Sequence, residues 1–193
     1  NILMNTADDR GNPGPDFQYG YGRINALHGV EVIENDRFSL DTIAQGQTNT
    51  HTLTVPAGLS KLKVMVNWVD PQGFVGSARN LINDLNITLT APDGNQLLPW
   101  VLDPTPNITA ISSNAVRAID SLNIVEQVTL DFPVAGTYTL SVNGSTIPFG
   151  SQEYFFSYHF VQDEIAVEFP AGGECIAPFQ PEVIRWAAPD GTG

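Results

Sequence analysis

From Phe38 to Val161 apolar and polar residues alternate with a period of two, interrupted at intervals by turn residues. Leu62, Val64, Val66 and Trp68 alternate with Lys63, Met65, Asn67 and Val69, and Leu85, Ile87 and Leu89 with Asn86, Thr88 and Thr90. Val128, Leu130 and Phe132 flank Thr129 and Asp131, and Tyr138, Leu140 and Val142 flank Thr139 and Ser141. Tyr154, Phe156, Tyr158 and Phe160 close the series opposite Phe155, Ser157, His159 and Val161. Successive side chains of a strand point to opposite faces, so each run predicts a strand with one buried face. Pro92-Asp93-Gly94-Asn95 and Asn143-Gly144-Ser145 read as turns between them. Adding Leu53 to Val55 and a weaker strand near Phe38 to Ile43 gives about seven or eight short strands. The pattern predicts an all-β fold over residues 36–162, an antiparallel β-sandwich or jelly roll.

The ends of the chain differ from this middle. Ile2-Leu3-Met4 reads as the end of a helix, and Ala7 to Asp16, with two prolines and two glycines, as a polar loop. Ile24, Leu27, Val30 and Ile33 recur at three-residue steps, which predicts a short amphipathic helix. A helix of that length is marginal alone in water, so those side chains are expected to cover a larger surface. Solvent exposure of Ile24, Leu27 and Val30 would defeat a bracing role for the sandwich. After residue 163, Ile165, Val167 and Phe169 alternate, Pro170 to Glu174 turns, and Val183, Ile184 and Trp186 suggest a second strand. Two strands cannot bury enough surface to stand alone, so residues 163–193 read as the opening of a further, truncated domain.

Composition narrows the partners. The 193 residues carry 8 Lys and Arg against 21 Asp and Glu, a formal charge of −13. Such a surface repels phosphate backbones, so no nucleic acid partner is expected. No apolar run approaches the length of a membrane span, so no membrane insertion is expected either. The 42% hydrophobic content excludes a wholly disordered chain, and the single Cys175 excludes an internal disulfide framework. Asn1 to Asn5 has no basic n-region, so no signal peptide is expected in this stretch.

Gly20-Tyr21-Gly22-Arg23-Ile24-Asn25-Ala26, preceded by Thr6-Ala7-Asp8-Asp9, resembles the C-terminal end of a subtilisin-like serine protease domain. There a Gly-x-Gly-x-x-Asn-Ala segment closes the domain after the helix that follows the nucleophile. Trp68-Val69-Asp70-Pro71, Leu81 to Leu85, Ala91-Pro92-Asp93-Gly94, Asn123 to Val128 and Gly136 to Leu140 resemble the proprotein-convertase P-domain-like jelly roll, a galactose-binding-like fold, of secreted bacterial subtilases. Phe169 to Glu174 with Trp186 is similar to the first strands of Ig-like modules. The resemblance implies three units: residues 1–35 from the end of a catalytic domain, 36–162 a jelly roll, 163–193 a truncated Ig-like piece. It further implies a secreted, extracellular parent that hydrolyses protein substrates. This chain's partner would then be its own catalytic domain, upstream and in the same polypeptide. The absence of a signal peptide here would follow from truncation.

Such a protease needs Asp, His and Ser in separate motifs, the serine in Gly-Thr-Ser-Met-Ala, and that motif is absent here. Gly76-Ser77-Ala78 and Gly144-Ser145-Thr146 lack a nucleophile-elbow context. His28, His51 and His159 read as surface or packed imidazoles. No catalytic residue is therefore assigned to this chain. Oxygen donors are plentiful at predicted strand ends: Asp70, Asn83, Asp84, Asp120, Asn123 and Glu126 form a candidate calcium set, since calcium takes six to eight oxygens. The same Asn and Asp residues serve equally well as turn caps. Related P-domain-like modules bind calcium, which the resemblance adds to the case. The rival reading is a carbohydrate-binding or adhesion module, with Trp68, Trp100, Tyr19 and Tyr21 as stacking candidates. Against it, Trp68 falls on the apolar face of its strand, and Trp100 reads as an anchor for the loop running to Ala118.

Overall fold

The computed structural model describes residues 1–73, 75–76, 80–162, 166–170, 172–175 and 181–187. Along the chain these form α1 (Ile2–Asn5), α2 (Ala26–Glu34), β1 (Phe38–Ala44), β2 (Thr48–Val55), β3 (Leu59–Trp68), β4 (Asp84–Thr90) and β5 (Gln96–Leu97). There follow β6 (Trp100–Val101), α3 (Ile108–Ile111), β7 (Val116–Arg117), β8 (Val125–Asp131), β9 (Gly136–Thr146), β10 (Ser151–Gln162), β11 (Ala166–Phe169) and β12 (Arg185–Ala187). Two four-stranded sheets, in the orders β1-β10-β3-β8 and β2-β9-β4-β5, are antiparallel throughout. The all-β sandwich expected from the alternation is the fold observed.

The inner faces are the apolar faces read from the sequence. Leu62, Val64 and Val66 of β3 meet Leu85, Ile87 and Leu89 of β4, Val128 of β8, Leu140 and Val142 of β9, and Tyr154 and Phe156 of β10 in one core. Burying each such aliphatic side chain is worth roughly 1.5–3 kcal/mol, which is why the register of the long strands is firm. Trp68 is 2% exposed and donates its indole N–H to the Asn83 carbonyl at 3.0 Å. Trp100 anchors its loop as expected. Its strand β6 pairs with β7, its indole donates to Thr129 Oγ1 at 2.9 Å, and the Arg117 guanidinium lies 3.6 Å over the ring.

Two local expectations are corrected. Asn143-Gly144-Ser145 is no turn but the continuation of β9, whose register against β4 shifts at Asp84/Leu85. Glycine serves close approach there, because a Cβ on Gly144 would stand 2.6 Å from the Ala44 carbonyl oxygen. The second correction concerns α2. It forms where expected, with Asn25 capping its first turn by accepting from the His28 N–H at 3.2 Å. Its buried residues are Gly29 and Val32, whereas Ile24, Leu27, Val30 and Ile33 are 67, 56, 47 and 52% exposed. The apolar stripe faces outward, so a bracing contact through Ile24, Leu27 and Val30 is not made. The helix lies on β10 by its narrower face, where Gly29 leaves room for Leu3 and Ile2 of α1.

At the C-terminal end, β11 pairs with β12 in a separate two-stranded ladder, with Val167 opposite Trp186. Ile165 of the expected alternation lies outside the described residues. Cys175, which reads equally as a buried hydrophobe or a surface thiol, is exposed.

Candidate functional site

Residues 1–35 are inlaid into the outer face of the β1-β10-β3-β8 sheet. The alternation that gives β3 its apolar inner face turns Lys63, Met65 and Asn67 outward. Antiparallel register sets Ser157 and Gln127 on either side of Met65, and His159 and Thr129 on either side of Lys63. Asn5, at the end of α1, is fully buried on this face. Its amide donates to the Ser157 carbonyl and Oγ at 3.1 Å each, and its Oδ1 accepts from Gln127 Nε2 at 3.1 Å. Lys63, 4% exposed, donates its ammonium to the Ala7 carbonyl at 2.7 Å. Asn1 donates to Asn67 Oδ1 at 2.7 Å and accepts from the Ser157 hydroxyl. The buried and half-buried polar groups of Asn1, Asn5, Lys63, Gln127 and Ser157 are tolerated because they find one another or a backbone carbonyl, so this part of the seam is held by matched hydrogen bonds.

Behind it the glycine-rich segment closes on Asp8. The Asp8 and Arg23 backbones form a two-way bridge, each N–H donating to the other's carbonyl at 2.8 Å. Gly22 permits this with φ of 110°, since a Cβ there would stand 2.0 Å from the Asp8 carbonyl oxygen. The Asp8 carboxylate accepts from Arg23 Nη2 at 2.8 Å and from Asn25 Nδ2 at 3.0 Å. Burial pushes this carboxyl up, but those hydrogen bonds and the nearby His28 and Arg23 outweigh it and hold it below the usual range.

The candidate calcium residues gather at one end of the sandwich, where β3 ends and β4 and β8 begin. Trp68 ties this end together, its side chain bonded to the Asn83 carbonyl and its N–H to the Ile124 carbonyl. Asp70 clamps the loop before β4, accepting from the Ile82 and Asn83 N–H groups at 2.7 Å each. Asp120 turns the loop before β8, accepting from the Leu122 and Asn123 N–H groups at 2.8 and 3.2 Å and from Asn123 Nδ2 at 2.7 Å. Asp70 and Asn123 are thus engaged in shaping loops.

Glu126 is different. It lies fully buried on the inner face of β8, and Oε2 accepts from the Ile87 N–H at 2.9 Å, capping the free edge of β4. Its other oxygen, Oε1, is buried with no hydrogen-bond partner among the described residues, and so is Asn83 Oδ1. Burial pushes the Glu126 carboxyl well above the usual range; the Ile87 N–H opposes this, and the charges of Asp120 and Asp84 add to it. Tyr21, on the inlaid segment, feels the same charges: burial, then Asp120 and Glu126, push its phenol up to about 12. The structure therefore brings Glu126, Asp84 and Asp120 into one electrostatic neighbourhood and adds Tyr21, which the sequence offered as a sugar-stacking residue. An orphaned carboxylate oxygen and an orphaned amide oxygen are the types of donor that a hard cation such as calcium takes.

No family model matches the chain. It is 24% identical over 163 residues, 79% of its length, to the serine protease/ABC transporter B family protein tagA of Dictyostelium discoideum. It is 27% identical over 97 residues, 48% of its length, to the corresponding tagB protein of the same organism. The chain spans 9% and 5% of the lengths of those two proteins. Among solved structures it is similar to the Bacillus licheniformis lipase BlEst2 in propeptide form, with a TM-score of 0.39 and 15% identity, covering 65% of this chain and 22% of that one. It is also similar to the pre-peptidase C-terminal domain of a Bacillus anthracis collagenase, with a TM-score of 0.36 and 14% identity over 63% of this chain and 86% of that one. No helix among the described residues is long and apolar enough to cross a membrane.

Proposed function

We propose that this chain is a non-catalytic β-sandwich region of a secreted subtilisin-like serine endopeptidase, and that its sandwich carries the closing turns of the catalytic domain. The observation that supports this reading is the two-sided character of residues 1–35. One side is fixed to the sandwich by Asn5, Lys63 and Ser157, and the other presents Leu3, Ile24, Leu27, Val30 and Ile33 to solvent. A segment whose polar side is matched and whose apolar side is bare is one that belongs to a second body as well. In the parent, a serine upstream of Asn1 would attack the peptide carbonyl with a histidine as base. The sandwich would hold residues 1–35 through the polar seam, not through the apolar stripe expected to brace the rim, and would take no part in bond cleavage. The serine protease names of the two Dictyostelium relatives favour the same reading.

A calcium ion at the end of the sandwich belongs to this proposal. Glu126 and Asn83 would hold it through their orphaned oxygens, with Asp84 and Asp120 supplying further charge, and it would neutralise the buried Glu126 carboxylate. A carbohydrate-binding role finds little platform in the two tryptophans of the sandwich, because Trp68 is core and one ring face of Trp100 is taken by Arg117.

The test compares two polypeptides, this chain alone and the longer chain with its upstream region. A fluorophosphonate probe and a quenched peptide substrate should label and turn over the longer chain and leave this one unreacted. Asn5→Ala or Lys63→Met in the longer protein should shorten its active half-life at raised temperature. A longer chain with no probe-reactive serine would defeat the proposal, as would hydrolysis by this chain alone.

A further inference from the structure

Helix α2 and strand β10 bring together three side chains that the oxygen-lined end of the sandwich does not involve. His28 and Glu31 stand three residues apart on α2 and so share one face of the helix. His159 stands on the outer face of β10, opposite Lys63 of β3. One donor atom from each of the three lies within 4.8 Å of the other two. The rings of His28 and His159 are 4.7 Å apart between centroids and tilted by 35°, and His159 Nε2 lies 3.9 Å from Glu31 Oε2.

His159 is 1% exposed, and neither ring nitrogen has a hydrogen-bond partner among the described residues. An imidazole always carries at least one N–H donor or bare lone pair that wants a partner, and a buried orphan of this kind is uncommon. The Glu31 oxygen at 3.9 Å is too distant for a hydrogen bond. It is well placed to share an ion. Ligand atoms around a tetrahedral zinc stand about 3.3 Å apart, given bond lengths near 2.0 Å. The observed spacings need small rotations of the half-exposed Glu31 and the partly buried His28 to reach that.

We propose that His28, Glu31 and His159 bind a zinc ion that staples α2 to β10. Two imidazoles and one carboxylate are a borderline-soft set that suits zinc, with a water completing the four, and is poorly suited to calcium. Asp8 Oδ1 lies 3.7 Å from His28 Nδ1, beyond hydrogen-bond length but close enough to place negative charge beside the imidazole, and Asn25 Nδ2 stands 3.5 Å from Nε2. Burial, then the neighbouring His28, Lys63 and Arg37, lower the His159 pKa to about 3 against the pull of Asp8. The ring is therefore neutral, with a lone pair to give. Lys63 and Arg37 oppose a further cation, and the Asp8 charge is already paired with Arg23, so the negative charge that favours the ion is the Glu31 carboxylate. The ion would join residues far apart in sequence across the seam between the inlaid segment and the sheet. This inference does not depend on the protease reading.

The experiment uses the whole 193-residue chain with Cys175→Ser, which removes the exposed thiol as a competing ligand. Calcium is kept saturating so that the carboxylates at the sandwich end are occupied. Zinc affinity is measured by competition with a chromophoric chelator, and cobalt is titrated as a spectroscopic substitute. The expected result is one zinc per chain, a four- or five-coordinate cobalt spectrum, and a higher melting temperature with zinc. His28→Ala and Glu31→Gln, both at partly exposed helix positions, should each weaken zinc by roughly tenfold or more. They should also abolish the thermal shift. Zinc binding unchanged in both variants would overturn the proposal, and so would a cobalt spectrum that stays that of the hexaaquo ion.

Discussion

Replacing Asn5 by alanine isolates the hydrogen-bonded seam from everything else in the molecule. The side chain is fully buried and makes three hydrogen bonds of 3.1 Å, two donated to Ser157 and one accepted from Gln127. Alanine removes all three and leaves Gln127 Nε2, on a side chain 6% exposed, without its acceptor. A net loss of about 1 kcal/mol per bond, raised by the stranded buried amide, gives roughly 2–4 kcal/mol. For a chain of this size that corresponds to a drop in melting temperature of roughly 10 °C if the seam and the sandwich unfold together. The assay is urea denaturation with hydrogen exchange at the Asp8 and Arg23 amides, which bridge the inlaid segment. If residues 1–35 part from the sheet before the sandwich melts, the loss falls on those two amides, and the global midpoint moves little. Gln18→Ala is the control, because Gln18 is exposed and should cost under about 0.5 kcal/mol. An Asn5→Ala protein with both the midpoint and the two amides unchanged would refute the claim that this seam carries stability.

Further outcomes follow from the same geometry. Glu126→Gln keeps an acceptor for the Ile87 N–H and removes the buried charge. Because the folded carboxyl is raised above its ordinary 4.5, the folded state holds its proton longer than the unfolded state, so metal-free stability falls as pH rises from about 4.5 upward. Glu126→Gln should flatten that fall in urea melts run with chelator, and an unaltered slope would contradict the assignment. In the wild-type chain, calcium at a hundred times its dissociation constant should stabilise by about 2.7 kcal/mol, and Glu126→Gln should lose most of that gain. A melting temperature indifferent to calcium and chelator would remove the ion from the proposal. Gly22→Ala places a Cβ against the Asp8 carbonyl at a positive φ, and should cost roughly 2 kcal/mol or more with loss of protection at Arg23.

The sandwich was legible because burial on one face of each strand writes itself into the sequence as alternation, most clearly at Leu62 to Trp68 and Tyr154 to Phe160. The seam was not legible. Asn5, Lys63, Gln127 and Ser157 look like ordinary solvent-facing residues, and their fit to one another is a matter of three-dimensional register that no local pattern records. The same fact explains the misjudged helix. Periodicity located α2 and identified its apolar stripe, but the polar sheet face selected Gly29 and Val32 for contact, and the stripe was left outside. Asn143-Gly144 failed for a narrower reason, since glycine marks close backbone approach as readily as it marks a turn. Of the oxygen donors, all chosen for their place at strand ends or in loops, Glu126 stood in an otherwise apolar strand position and is buried with an unpartnered oxygen, whereas Asp70, Asp120 and Asn123 make hydrogen bonds within their loops. His28 and Glu31 carried a weak local signal in their helical spacing. Their partner His159 lies 131 residues beyond His28, and nothing in the sequence joins them.

The seam beneath α1 has a consequence for how the two parts of this polypeptide come apart. Cohesion there comes from amide, hydroxyl and ammonium groups, and water can replace each of those partners when the surfaces separate. A polypeptide begun after residue 36 would uncover a sheet face on which Lys63, Asn67, Gln127 and Ser157 lie around the apolar side chain of Met65, a surface that hydrates over most of its polar positions. The bare stripe on α2 has the opposite temperament. Removing residues 1–35 should therefore yield a better-behaved solution, and the joint is one that a cut in the Asp9–Pro15 loop could open cleanly.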